Sequence, residues 1–390
     1  MRLPRLSQSP RDPAFVQNPY PFYGRLHDAG GTLWWDDYEM LFFGRFADVN
    51  AILRDRRFGR TPLSPPTHPP RLKAFYDYEA RSMLELEGAA HRNLRSLVTR
   101  AFVSRRIDGM RPQIEALAHG LLDTVEPAGQ ADLLTVYCEP IPVIIIAELL
   151  GLPASVAPDL LRWSHAMVAM YQFGRDRAVE DAAEAATKAF SAFISDEVAQ
   201  RRAAPREDLL TLLTRPDEKG EALADADIVT TAILILNAGH EATVHALGNG
   251  VKALLETGVK PDGEDATGEE ILRFDPPLHM FTRYVYEDMT FSGAPLKRGQ
   301  VIGLSLGAAT RDPGRFHSAD QFLPERPDAG HVSFGAGTHF CLGAPLARLE
   351  MQIALPILFE RLPKLRLKGT PKYADRYHFR GLEALDATWT

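Results

Sequence analysis

The chain has 390 residues, 45% hydrophobic and 24% charged, with a net charge of −7 at pH 7. That length is enough to bury a substantial core, in one large unit or in two or three domains. A negative balance spread without long blocks of one sign argues against a general nucleic-acid binder. The two cysteines, Cys138 and Cys341, lie too far apart in sequence to suggest a disulfide framework or a zinc site, which fits a reducing cytosol. Residues Met1 to Phe15 carry Arg2, Arg5, Arg11 and Asp12 among prolines rather than an apolar run. No signal peptide or membrane anchor is expected there, so the expectation is a soluble, cytoplasmic protein.

In chain order, Asn18-Pro19-Tyr20-Pro21-Phe22-Tyr23 followed by Gly30-Gly31 reads as an entry segment with a short helix and a turn. Thr32 to Trp35 and Met40 to Phe43 are β-favouring runs split by the polar pair Asp36-Asp37, a hairpin signal. Phe46 to Arg54 places Phe46, Val49, Ile52 and Leu53 at helical spacing, closing a β-rich N-terminal part over about residues 1–60. From Arg60 to Ala80 the prolines at 62, 65, 66, 69 and 70 predict a long loop, a kind of segment that is usually functional or mobile. A helix is expected from His91 to Phe102, and there His91 and Arg95, four apart, share one face and can point together at one anion. Taken alone, such a pair more often marks a solvated helix face.

The middle of the chain is helical. Ile107 to Val125, Pro140 to Leu150, Ala157 to Tyr171 and Arg175 to Arg202 all carry helical apolar spacing, with a short link at Gln172-Phe173-Gly174. Met167, Met170, Tyr171 and Phe173 are candidates for pocket lining or for core packing. Asp225 to Glu256 then predicts one helix of about 48 Å at 1.5 Å per residue, long enough to span the molecule. At its centre stands Ala238-Gly239-His240-Glu241-Ala242-Thr243. The small residues Ala238 and Gly239 leave either a groove or a close helix contact, and a polar insertion there would open a local π-type distortion. Glu270 and Arg273, three apart, can form a bidentate pair on one helix face.

The richest stretch is Val332-Ser333-Phe334-Gly335-Ala336-Gly337-Thr338-His339-Phe340-Cys341-Leu342-Gly343, followed by strong helix formers from Ala344 with Pro345 in the first turn. Gly335 and Gly337 permit turns and close approach, and Gly343 lets the chain leave Cys341 tightly. Cys341 therefore sits at a loop-to-helix junction, where backbone N–H groups and the helix dipole favour a thiolate.

The spacing Phe-x-x-Gly-x-x-x-Cys-x-Gly resembles the haem-thiolate loop of the cytochrome P450 family. The resemblance covers nearly the whole chain. It implies a mainly α fold with small β-sheets, a single large domain over residues 1–390 with the helical core and haem-binding region at 85–390. The implied cofactor is haem b, iron protoporphyrin IX. Cys341 would be the metal ligand, with Phe334 beside the sulfur and Gly343 after it. His91, Arg95, Arg283 and His339 would hold the propionates. Ala238 and Gly239 would form the oxygen-binding groove, with Glu241 managing protons. By the same resemblance Arg326 would complete a structural triad with Glu270 and Arg273. The segment Leu278 to Phe281 and the hairpin Tyr377 to Leu382 would face the pocket, His279 being equally well a surface or core residue. The loop after Arg60 would cover the pocket.

The implied activity is a monooxygenase that inserts one oxygen atom from O2 into a small or medium apolar organic substrate. Electrons would come from a ferredoxin and its NAD(P)H reductase. Arg92, Arg100, Arg105 and Arg106, with Arg348, would form the basic face on which that acidic partner docks. One departure from the family pattern bears on mechanism. The alcohol expected after Glu241 is Ala242, with Thr243 one place later and about 100° round the helix. Splitting dioxygen needs protons delivered by a positioned chain. Three readings stay open: a substrate hydroxyl or ordered water stands in for the alcohol, Thr243 reaches in through a bulge, or peroxide is used instead. A haem-thiolate sensor without catalysis is the reading from another class.

Overall fold

The computed structural model describes residues 3–101, 107–216, 220, 222–261, 263, 265–328 and 330–390. Its axis is the helix Asp225–Thr257, which runs for 33 residues without interruption. Asp225 and Asp227 in its first turn favour the positive end of the helix dipole, and Gly258 at φ 74° ends it in the left-handed conformation. Between those ends it is apolar nearly all round, the pattern of a helix with no solvent face. Helices Pro140–Leu149, Ala157–Val168, Arg177–Ala203, Leu209–Thr214, Asp265–Phe274 and Ala344–Arg361 pack against it.

The strands in chain order are β1 (Arg5–Leu6), β2 (Thr32–Trp35), β3 (Met40–Phe43), β4 (Phe58–Gly59), β5 (Gln130–Asp132), β6 (Met280–Val285), β7 (Met289–Phe291), β8 (Ala294–Leu296), β9 (Val301–Ser305), β10 (Arg366–Leu367) and β11 (Asp386–Thr388). The largest sheet has the order β1-β2-β3-β9-β6-β4. Its β2–β3 hairpin has the boundaries the sequence predicts, pairing Thr32 with Phe43 and Trp35 with Met40. A 3-10 turn at Asp36–Tyr38 and a left-handed Glu39 at φ 48° make the reversal. β6 joins β9 antiparallel, so distant segments of the chain complete a sheet that the hairpin begins.

Two expectations need correction, and a third falls partly outside the described residues. The proline-rich loop ends before Ala80, because a 3-10 turn Pro70–Leu72 leads into helix Lys73–Arg81, which buries Phe75 and Tyr78. The long helix keeps α winding through residues 238–243, and a π segment lies instead at Leu134–Cys138. The helix starting at Gly88 is described to Ala101; Phe102, Arg105 and Arg106, with the side chain of Arg100, fall outside the described residues. Among the described residues no helix is long and apolar enough to cross a membrane.

Candidate active site

The cysteine loop is held by contacts that only glycine permits. Gly335 and Gly337 take φ of 70° and 67°. A Cβ on Gly337 would stand 2.3 Å from the carbonyl oxygen of Leu53, so the loop is pressed against the end of helix Phe46–Arg54. The Cys341 N–H donates to Phe334 O at 2.9 Å, and Ser333 Oγ anchors the loop to Leu272 O at 2.7 Å. The Arg348 guanidinium lies 4.6 Å over the Phe334 ring. Burial pushes the Cys341 thiol up, while the Gly343 and Ala344 N–H groups, with Arg95 and Arg348, pull it back without cancelling that rise. The helix start thus supplies part of the thiolate stabilisation, and a coordinating metal would supply the rest.

Beside this loop lies a cluster prepared for anions. His91 is buried with neither ring nitrogen hydrogen-bonded, and its ring stands 4.4 Å from that of His339. Arg95 Nη2 donates to Phe340 O at 2.6 Å, at the level of the cysteine. Arg283 in β6 is buried, and its Nη1 donates to Thr282 O at 2.8 Å. Glu87 receives His339 Nε2 at 3.0 Å and the Arg60 N–H at 2.8 Å. Although burial opposes ionisation of Glu87, His339, the Arg60 amide and Arg283 hold its carboxyl below the ordinary range. A carboxylate is therefore already stabilised in this corner. Burial, and then Arg60, depress the Arg283 guanidinium to about 10. Arg60 was not singled out by sequence reasoning, since it sits in a proline-rich loop without periodicity.

The long helix opens where it passes this loop. Ala238 is exposed, and Gly239 and Ala242 are half-buried, inside a helix that is otherwise sealed there. Leu342 packs with Leu94 and Leu234, and Leu234 precedes Ala238 by about one turn. Gly239 has a second role: a Cβ there would come within 2.8 Å of Ile146 Cγ1, so glycine lets helix Pro140–Leu149 approach. Thr243 is buried, and its Oγ1 donates back to Gly239 O at 3.3 Å, within the helix. With α winding intact, Thr243 lies about 140° round the axis from Ala238, against about 40° for Ala242.

Glu241 is buried, and three imidazoles ring its carboxylate. His165 Nε2 is 3.3 Å from Oε2, His240 Nε2 3.6 Å from Oε2, and His245 Nε2 3.4 Å from Oε1. Arg376 Nη1 approaches Oε1 at 3.8 Å. Burial alone would raise this carboxyl; the imidazoles, His245 first, outweigh it and hold it down to about 2. No individual sequence signal pointed to His165, which comes from helix Ala157–Val168.

The Glu270 triad assembles as a network. Arg273 donates to both Glu270 oxygens at 2.7 Å, and Arg326 Nε donates to Oε2 at 2.8 Å. His279 belongs to the core: it is buried, and its Nδ1 is 2.6 Å from Tyr23 Oη. Met167 and Met170 are buried in the main core, whereas Tyr171 and Phe173 are exposed, as are Leu63 and Leu84. The C-terminal hairpin divides its side chains. Tyr377 and Arg380 turn to Tyr23 and Asp275, while the Phe379 ring comes within 6.4 Å of His245 on the long helix.

The family profile described as Cytochrome P450 matches residues 265–370. A curated relative, the polyketide biosynthesis cytochrome P450 PksS of Bacillus subtilis (strain 168), is 32% identical over 98% of this chain and 98% of its own length. The chain belongs to the cytochrome P450 family. The vitamin D(3) 25-hydroxylase of Pseudonocardia autotrophica is 37% identical over 96% of this chain and 94% of its own. The crystal structure of P450BioI, in complex with a fatty-acid-ligated acyl carrier protein, superposes with a TM-score of 0.92 at 30% identity, over 97% of this P450 and 100% of that chain. The helical fold with small sheets is thus the P450 fold, and the activity is that of a P450 monooxygenase with haem b as cofactor. O2, an organic substrate and a redox partner protein belong to that activity.

The residues present fit this cofactor. The cysteine loop packs through Leu342 on Leu234 of the long helix, about one turn before the opening at Ala238, and the unbonded nitrogens of His91 stand beside His339, close to Arg95 and Arg283, where propionates need donors.

Proposed function

We propose that this P450 hydroxylates a small or medium apolar organic substrate that carries its own hydroxyl group, with electrons from a ferredoxin and its NAD(P)H reductase in the cytoplasm. The observation that carries the substrate reading is the composition of the helix opening. Ala238, Gly239 and Ala242 form it, and the neighbouring Thr243 spends its hydroxyl on Gly239 O. The site therefore offers no side-chain alcohol where a proton has to be positioned, and a hydroxyl brought by the substrate fills that gap.

Haem held by Cys341 supplies the oxygen chemistry when bound. The chain's own residues do the rest. His91, Arg95, Arg283 and His339 bind the propionates, and Phe334, clamped under Arg348, shields the sulfur. Glu241 takes and returns protons at its carboxylate, with the half-exposed His165 as its link to solvent. Tyr171, Phe173, Leu63 and Leu84 form the apolar rim by which substrate enters. The relatives named for polyketide biosynthesis and vitamin D(3) hydroxylation support an apolar substrate of that general kind. Docking of an acidic ferredoxin rests on the exposed Arg92 and the half-buried Arg95; Arg348 is engaged by Glu269.

The test is an optical titration of the ferric protein with pairs of alcohols and their deoxy analogues, alongside the ferrous–CO spectrum of the same sample. Spin-state shifts and product formation favouring the alcohols support the reading. Equal turnover of both members of each pair refutes the hydroxyl requirement, and full turnover with hydrogen peroxide and no reductant refutes the ferredoxin requirement.

A further inference from the structure

His240 faces Glu241 without hydrogen-bonding to it. His240 Nδ1 is 2.7 Å from the carbonyl oxygen of Leu236. A carbonyl only accepts, so Nδ1 carries the proton and Nε2 presents its lone pair to Glu241. A lone pair facing a carboxylate is repulsive, and neither His240 Nε2 nor either Glu241 oxygen has a hydrogen-bond partner, although both residues are about 98% buried or more, with 1% and 2% of their surface exposed. Buried polar atoms left in this state call for an explanation. One ring nitrogen of His165, one of His240 and a carboxylate oxygen of Glu241 all lie within 4.8 Å of one another, and both Nε2 atoms are within 3.6 Å of Glu241 Oε2. Among the described residues this is the one group of histidine, cysteine and acidic side chains so arranged.

The geometry matches a d-block cation. Ligands about 2.0–2.1 Å from a tetrahedral ion stand roughly 3.3–3.4 Å apart, and the two edges to Glu241 Oε2 measure 3.3 and 3.6 Å. His240 already has the arrangement common to metal-binding histidines, its other nitrogen donating to a backbone carbonyl. His245, 3.4 Å from Oε1, is placed to brace the free carboxylate oxygen. His165 is 41% exposed in its side chain and gives the ion a way in from solvent. Among the described residues Arg376, at 3.8 Å from Oε1, is the one lysine or arginine paired with Glu241, and it is itself half exposed. Two imidazoles with one carboxylate select zinc-like ions over magnesium or calcium.

We propose that His165, His240 and Glu241 form a binding site for a divalent d-block cation such as Zn2+, separate from the haem ligand Cys341. Occupation ties up the carboxylate proposed to transfer protons, so the ion is an inhibitor of turnover; that consequence, unlike the binding itself, rests on the proposed function.

The experiment uses tag-free, haem-loaded protein. Isothermal titration with Zn2+, and equilibrium dialysis with metal analysis, should give one ion per chain, with no comparable binding of Mg2+. His165→Gln should weaken binding by more than the roughly 10–100-fold that loss of an outer-shell partner costs, while its ferrous–CO band shows an intact haem site. Because His240→Gln disturbs a buried position, X-ray absorption at the zinc edge of the unmutated protein is the second measure, with two imidazoles and one carboxylate expected. Absence of stoichiometric Zn2+ binding, equal affinity in His165→Gln, or a zinc edge showing sulfur ligands would overturn the site. Stoichiometric binding that leaves turnover unchanged would uphold the site and remove Glu241 from proton transfer.

Discussion

Replacing Glu270 by alanine removes the acceptor for five donors at once: Arg273 Nε and Nη2, Arg326 Nε and Nη2, and the Leu323 N–H. The two arginines do not suffer equally. Arg326 keeps the Asp328 carboxylate at 3.1 Å and the carbonyls of His317 and Gln321. Arg273 keeps only the carbonyls of Thr310, Ala319 and Gln321, so one fully buried guanidinium loses its counter-charge. Breaking a buried pair by deleting one partner costs about 3–5 kcal/mol, against a total stability on the order of 5–15 kcal/mol. The damage lands on the cofactor, because helix Asp265–Phe274 also carries Leu272, whose carbonyl ties down the cysteine loop through Ser333. Bound haem makes unfolding other than two-state, so the assay is the urea midpoint followed by far-UV circular dichroism together with haem content per chain. Glu270→Ala should lower both, and Glu270→Gln, which keeps volume and one acceptor oxygen, should fall between it and the unmutated protein. A Glu270→Ala protein with an unmoved midpoint and full haem content would refute the reasoning.

Three further outcomes are expected. Glu269 accepts Arg348 Nε at 2.6 Å and Nη2 at 2.9 Å and faces His331 Nε2 at 3.2 Å; burial opposes ionisation, yet these partners hold its carboxyl down to about 2. A depressed folded pKa gives stability that is complete above the unfolded value of 4.5 and is lost as pH falls toward 2. After discounting for partial exposure, Glu269→Gln should cost about 1–2 kcal/mol at pH 7, and the stability gap should shrink as pH falls from 4.5 toward 2; a gap as large at pH 2 as at pH 7 tells against the assignment. Gly337→Ala drives a Cβ to 2.3 Å from Leu53 O at a φ of 67°, so the variant should be purified largely without haem, and normal haem content would show the loop can shift. Ala242→Thr should retain haem and change the ratio of product formed to reductant consumed; an unchanged ratio across several substrates would place residue 242 away from the reacting oxygen.

Much of the fold was legible because its signals are local. The β2–β3 hairpin is set by two apolar runs and an Asp-Asp break within a dozen residues, and the long helix by unbroken apolar spacing between acidic residues and a terminal glycine. The helix Lys73–Arg81 was masked by the prolines just before it; its own signal, Phe75 and Tyr78 three apart, is only one turn long. Hubs built from remote segments left no local trace. Asp275 gathers Tyr20, Tyr373 and Arg380, and nothing in the spacing of those residues predicts that they meet. His279 was ambiguous for the same reason, since its partner Tyr23 lies 256 residues away.

The centre of the long helix shows how far a motif can be read and where geometry has to take over. Ala238-Gly239-His240-Glu241-Ala242-Thr243 suggests a groove, an acid and a misplaced alcohol, and the alternatives turn on winding. A bulge would have brought Thr243 round to the groove. Instead the helix stays α, Thr243 bonds back to Gly239 O, and Gly239 itself is required by Ile146 as much as by any ligand. The same regular winding carries His245 to Glu241 as an i,i+4 neighbour and leaves His240 beside it with its lone pair inward. The loss of an alcohol at 242 and the gathering of imidazoles at 241 are thus consequences of one helical register. A local π insertion that rescued Thr243 would rotate Glu241 against His245, so proton delivery through Thr243 and the histidine cage are mutually exclusive arrangements of this sequence.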